Sequence, residues 1–199
     1  MHKLSFGIIA LGANLPSAAG SVCQTLTAVA GIVHAERDIS ISAMSRFWKT
    51  PAFPAGSGPN FINAAMVVRT QLNAETLLNY LHKIERNFGR DRRSGRWSAR
   101  VLDLDLIAFD NLVCPNEPTH SEWRELLPDQ QQTLTPDRLI LPHPRMQDRG
   151  FVLAPLAEIA PDWCHPVTGR TVAQMLNALP EGAMAGMTPI TSCKRQAFA

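Results

Sequence analysis

The chain has only four cysteines, Cys23, Cys114, Cys164 and Cys193, scattered along 199 residues. With no C-x-x-C pair among them, neither a structural zinc site nor a redox couple is indicated. Long apolar runs are missing too, and none approaches the roughly 18 residues that a membrane span requires. The apolar stretch Phe6, Ile8, Ile9 and Leu11 is soon broken by Gly12, Asn14 and Pro16, too early for a secretory leader. A cytoplasmic protein without membrane contact is therefore expected. Excess charge is small, at a net +2, so no general affinity for nucleic acid is implied. Neither G-x-x-x-x-G-K-[ST] nor G-x-G-x-x-G occurs, which removes the two common glycine-loop routes to a nucleotide.

What is present is an ordinary globular composition, 45% hydrophobic and 18% charged, at a length that suits one domain over residues 1–180. Residues 181–199 read as a loose tail. Residues 5–11 alternate as a strand, and Gly12 and Asn14 turn the chain into a helix over about 18–30, with Gly31 as its stop. A second strand follows over 39–48. Residues 50–60 hold three prolines and two glycines and must be a loop. A third strand covers 61–70. Asn73 then caps a helix whose stripe is Leu77, Leu81, Ile84 and Phe88, and Gly89 ends it. Residues 101–109 alternate as a fourth strand, with Leu102, Leu104, Leu106 and Ala108 on one side and Asp103, Asp105, Ile107 and Phe109 on the other. Residues 115–137 are a surface insertion with a short helix near 122–127. Two helices close the chain, 151–159 and 171–179, the latter opening on a Thr-x-x-Gln capping box. This order implies an α+β fold: a ferredoxin-like sandwich with a mainly antiparallel sheet, helices packed on it and long active-site loops.

The chemistry concentrates in residues 89–109. Arg86, Arg90, Arg92, Arg93, Arg96 and Arg100 crowd around one acid, Asp91, and run straight into the strand bearing Asp103 and Asp105. Two carboxylates at i and i+2 on a strand share a face, and Mg²⁺ takes one or two carboxylates plus phosphate oxygens. An arginine-rich loop beside them can fold over polyphosphate. On the third strand Phe61 and Asn63 share a face, a pairing that suits a flat heterocycle with a donor and acceptor edge.

These segments resemble one family, the 6-hydroxymethyl-7,8-dihydropterin pyrophosphokinases of folate biosynthesis. The resemblance runs through LGANL (11–15), TPAF (50–53), PNFINAAM (59–66), the stretch 84–107 ending in LDLDLI, RLILPHP from 138, and RGFVLAPLAEIAP to 161. It implies transfer of pyrophosphate from MgATP to the pterin hydroxymethyl group, leaving AMP. By resemblance Asp103 and Asp105 hold two Mg²⁺, and Arg90, Arg100 and Asp105 are the catalytic set, with Asp105 the candidate base. Glu85, Arg92, Trp97, Leu106, Arg138, Ile140, His143 and Arg149 match ATP-binding positions. Thr50, Pro51 and Phe53 read the pterin edge with Asn63, and Phe61 and Phe151 sandwich its ring. The substrates would be ATP and 6-hydroxymethyl-7,8-dihydropterin, the protein a monomer able to contact other folate-pathway enzymes. Ser98-Ala99 stands where Gly-Pro is usual, and His82 and Pro144 also depart from the pattern. Two other readings stay open: a catalytically silent pterin or nucleotide sensor, and a ferredoxin-like RNA-binding module.

Overall fold

The computed structural model describes residues 4–52, 58–89 and 100–191. Among these, six strands form one sheet: β1 (Ser5–Ala13), β2 (Ile39–Met44), β3 (Trp48–Thr50), β4 (Phe61–Thr70), β5 (Asp103–Phe109) and β6 (Thr188–Pro189). Their order is β5-β1-β4-β3-β6, with β2 beside the far half of β4, and every pairing is antiparallel. The helices are α1 (Val22–Ala35), α2 (Ala74–Asn87), α3 (Glu117–Arg124), α4 (Pro128–Thr133), α5 (Gly150–Ala157) and α6 (Val172–Asn177). On one face Leu26, Val29 and Val33 of α1 and Leu77, Leu81 and Ile84 of α2 pack on Ile9, Leu11, Met66 and Leu104. On the other, Val152, Leu153 and Leu156 of α5 and Val172 and Met175 of α6 pack on Ile8, Ala65 and Ala108. The α+β sandwich with helices on an antiparallel sheet is the expected one. Among the described residues no helix is long and apolar enough to cross a membrane.

Several local expectations are corrected. Helix α1 does not stop at Gly31; it starts at a Ser21–Gln24 capping box and continues to Ala35 because Val33 is fully buried. The single strand expected over 39–48 is two. The register against β4 shifts between Ile41 and Ala43, and Ser45 takes over the pairing, its hydroxyl accepting from Ala65 N–H at 2.9 Å. By contrast β4 and α2 fall where the sequence puts them. Asn73 accepts from Thr76 N–H at 2.8 Å, and Gly89 terminates the helix at φ +83°.

The alternation along β5 also fails at its end. Ile8 pairs with Ala108 but Ile9 with Leu106, so Ile107 is an extra residue in the ladder, a β-bulge. Beyond it the phase inverts: Phe109, expected with the aspartates, joins Leu104 and Leu106 in the α1/α2 core, and Ala108 crosses to the α5/α6 side. In the insertion the helix comes earlier than 122–127. Asn116 caps α3 by accepting from Thr119 N–H at 3.0 Å, and His120 is fully buried, its Nε2 2.9 Å from the Pro142 carbonyl. The loose tail is contradicted as far as residue 191. Thr188 and Pro189 pair with Lys49 and Trp48, and Ile190 N–H donates to the Phe47 carbonyl at 2.7 Å.

Candidate active site

The sheet register brings the sequence-distant polar residues into rows. Trp48 on β3 lies opposite Asn63 on β4, Asn63 opposite Gly12 on β1, and Gly12 opposite Asp103 on β5. One row along, Ala65, Ala10 and Asp105 line up in the same way. Directly opposed residues in antiparallel strands share a face, so Asn63, Asp103 and Asp105 emerge on the α5/α6 side. The residues between them are small. At Gly12 a Cβ would sit 2.6 Å from Asn63 Oδ1, in space that the amide itself fills.

Each polar side chain is held from behind. Asn63 donates its amide N–H to Thr50 Oγ1 at 2.7 Å, and both residues are buried. Arg100 Nη1 donates to Asp103 Oδ2 at 2.6 Å, and Arg149 Nη1 stands 4.0 Å from Asp105 Oδ2. Burial lowers the pKa of Arg149, with Asp105 and Asp103 pulling the other way. A guanidinium has ample range to remain charged. Glu85, reaching from α2, is 1% exposed and accepts from Leu104 N–H at 2.8 Å, which fixes the β5 backbone midway between the aspartates.

The bulge has a direct use. Ile107 has no partner in β1, and its carbonyl accepts the His143 N–H at 2.7 Å, so the 138–149 segment is sewn to the strand two residues from Asp105. His143 Nδ1 accepts from Arg145 N–H at 3.1 Å, which places the ring proton on Nε2. Desolvation and the nearby Arg149 and Arg145 push its pKa down to about 3, so the imidazole is neutral at physiological pH.

The structure thus gathers Asn63, Thr50, Asp103, Asp105, Arg100, His143 and Arg149 at one end of one face. Phe151 is at the start of α5, exposed, with the Arg149 guanidinium 5.5 Å from its ring centroid. Phe61 pairs with Thr50 at the start of β4, and Pro51 is exposed just beyond β3. Leu106 and Ile140 are buried, while Arg138 is exposed and paired with Asp137 at 3.0 Å. Phe53, Arg90, Arg92 and Trp97 lie outside the described residues, and so does Ser98-Ala99.

Sequence reasoning gave Asn14 only a turn. In the structure it is buried and joins two segments: its Oδ1 accepts Arg100 N–H at 2.6 Å, and its Nδ2 donates to the Pro59 carbonyl at 3.1 Å. Gly12 belongs to β1 rather than to a turn. The signal was LGANL itself, a glycine and an amide closing an apolar strand.

Among the described residues no three His, Cys, Asp or Glu side chains cluster as a closed metal site. Two carboxylates two residues apart on β5 are the kind of donors that Mg²⁺ takes when it completes its shell with phosphate and water. The residues fit that ion.

Residues 8–161 match the family model described as 7,8-dihydro-6-hydroxymethylpterin-pyrophosphokinase. The chain belongs to this family. A 2-amino-4-hydroxy-6-hydroxymethyldihydropteridine pyrophosphokinase of Synechocystis is 34% identical to it, covering 85% of this chain and 73% of its own length. One of Bacillus subtilis is 31% identical, covering 80% and 79%. The solved HPPK-DHPS of Plasmodium falciparum superposes with a TM-score of 0.60 over 89% of this pyrophosphokinase-family chain. At 14% identity that likeness concerns the fold alone, and the chain spans 45% of that solved chain.

Proposed function

We propose that this protein transfers pyrophosphate from MgATP to the hydroxymethyl group of 6-hydroxymethyl-7,8-dihydropterin in folate biosynthesis, releasing AMP. The observation that carries the reading is the row Asn63, Gly12, Asp103: a heterocycle-reading amide and a phosphate-side carboxylate on one face, separated by a residue with no side chain.

The pterin edge is read by Asn63, whose Oδ1 accepts while Thr50 fixes the amide's orientation; Pro51 and Phe53 follow Thr50 in the sequence, and Phe61 and Phe151 take the ring between them. The triphosphate lies toward Arg100, His143 and Arg149, with Arg90, Arg92 and Trp97 joining from residues 90–99 and Glu85, Leu106, Arg138 and Ile140 supporting the nucleotide side. Neutral His143 offers an Nε2–H without adding charge. Asp103 and Asp105 would hold Mg²⁺, as two ions, and what the metal supplies when bound is neutralisation of phosphate charge. The hydroxymethyl oxygen attacks the β-phosphorus, the bond from that phosphorus to the α,β-bridging oxygen breaks, and AMP leaves with the electron pair. We take Asp105 as the candidate base for the hydroxyl proton. The work is positioning and electrostatics.

Incubation with MgATP and 6-hydroxymethyl-7,8-dihydropterin should yield AMP and the pterin diphosphate in equal amounts. ADP as product, or turnover of ATP without the pterin, would overturn the reading.

A further inference from the structure

Glu158, just past the last turn of α5, collects four donors from a segment more than a hundred residues away. Its Oε1 accepts from Arg46 Nε at 3.0 Å, Arg46 Nη2 at 2.7 Å and Trp48 Nε1 at 3.0 Å, and its Oε2 from Arg46 N–H at 2.9 Å. Burial acts to raise its pKa, but the bonds from Arg46 and Trp48 outweigh this and hold the carboxylate below its ordinary value. Arg46 is more than half exposed, but four charge-assisted bonds converging on one carboxylate form a network rather than a single surface pair.

The location gives the bonds their meaning. Strand β3 is three residues long and follows the irregular residues 45–47; among the described residues its sheet neighbours are β4 and the two-residue β6. Sheet pairing alone holds so short a strand weakly, yet Thr50 at its end fixes the Asn63 amide. Arg46 lies in that irregular stretch and Trp48 opens the strand, so Glu158 holds the chain where it enters β3. At the other end of α5, Arg149 faces Asp105. The helix, about 12 Å long at 1.5 Å per residue, is therefore a strut between the aspartate strand and the strand that orients the pterin-reading amide.

We propose that Glu158 is a positioning residue for pterin recognition: it anchors β3 to the end of α5 and so sets where Thr50 places the Asn63 amide. The proposal rests on the assignment of Asn63 and Thr50 to the pterin. The anchor acts on β3 at the Glu158 end of α5, while Arg149 at the far end keeps its own contact with Asp105, so the signature is selective. Losing the anchor weakens the pterin and spares ATP.

Steady-state kinetics on Glu158→Ala, Glu158→Gln, Trp48→Phe and Thr50→Val test it, with each substrate varied at saturating MgATP or 6-hydroxymethyl-7,8-dihydropterin in turn. Glu158→Ala should raise KM for the pterin about tenfold, the size expected for losing a charged hydrogen-bond acceptor, with KM for ATP within about twofold. Glu158→Gln keeps an acceptor oxygen for Trp48 and should recover part of the loss. Trp48→Phe, removing one bond of the four, should show the same selectivity at smaller size even if Glu158→Ala folds poorly. Equal rises in both KM values, or a lower melting temperature with unchanged pterin KM, would overturn the proposal. If Thr50→Val raises pterin KM while the Glu158 variants do not, the anchor fails and the pterin assignment stands; if none of them does, both fail.

Discussion

The single residue with most leverage on the site is one without a side chain. Adding a methyl at Gly12 would force Asn63 Oδ1 away from a point 2.6 Å from the new carbon, and the amide is pinned at its other end by Thr50. Gly12→Ala is therefore expected to fold and to raise KM for the pterin by about tenfold, the consequence of one misdirected hydrogen-bonding group. Kinetics with each substrate varied separately check it; unchanged pterin KM would mean Asn63 is not the reader. For the aspartates the expected loss falls on turnover. Asp103→Asn and Asp105→Asn each remove a charged ligand of the proposed Mg²⁺ site, and losing one preorganised charge-stabilising group costs roughly 10² to 10³ in rate. Circular dichroism should show the fold retained, because neither carboxylate is buried in either core. Arg100 adds a second effect, since it pairs with Asp103 at 2.6 Å. Arg100→Ala should lower turnover more than it weakens ATP binding, and single-turnover rates set beside equilibrium ATP binding separate the two.

At the level of elements, the site depends on where chain segments are joined. Asn14, just past β1, holds Arg100, three residues before the aspartate strand, and Pro59, two residues before β4, with one side chain, and its N–H and that of Leu15 both donate to the Arg100 carbonyl, at 2.9 and 3.1 Å. Asn14→Ala leaves Arg100 N–H without its acceptor, so a stability loss of about 1 to 3 kcal/mol is expected in denaturant titration, together with reduced turnover. A variant as stable as the parent would show that these ends are held elsewhere. The same elements show what the sequence makes legible. Helix α2 and strand β4 were readable because their signals are local: a capping asparagine, a stripe at helical spacing, a glycine stop. The Asp103, Asp105 pair was readable for the same reason. The end of β5 was not, because counting by twos assumes an unbroken ladder, and the bulge at Ile107 is set by pairing with β1 and by the His143 N–H. Gly31 misled because a glycine stops a helix only when nothing beyond it is worth burying, and Val33 is. The row that unites Asn63 with Asp103 is a matter of register between strands far apart in the chain, on which residue spacing is silent; here the family resemblance supplied what periodicity could not.

Across the whole molecule, the insertion and the C-terminal part meet behind the site through two buried histidines. His120 on α3 and His165 have ring centroids 5.5 Å apart, and both are fully buried. His120 Nε2 faces the Pro142 carbonyl, one residue before His143, while His165 Nδ1 accepts from Val167 N–H at 3.2 Å and Thr168 N–H at 3.3 Å. Burial, then His120, then Arg124 lower the pKa of His165 from 6.5 to about 4, and burial lowers that of His120 too. A folded pKa below the unfolded one means that the unfolded chain binds more protons through the interval between them. Stability is then complete above about pH 6.5 and declines as the pH falls toward about 4, the His165 contribution to the loss between about pH 7 and pH 5 being on the order of 2 kcal/mol. His165→Asn keeps an acceptor near the Nδ1 position but cannot take the proton. Denaturant titrations of parent and variant across this range should converge as the pH drops, the parent losing stability faster. If the difference between the two stayed constant from neutral to acid, His165 would not be held neutral in the folded protein.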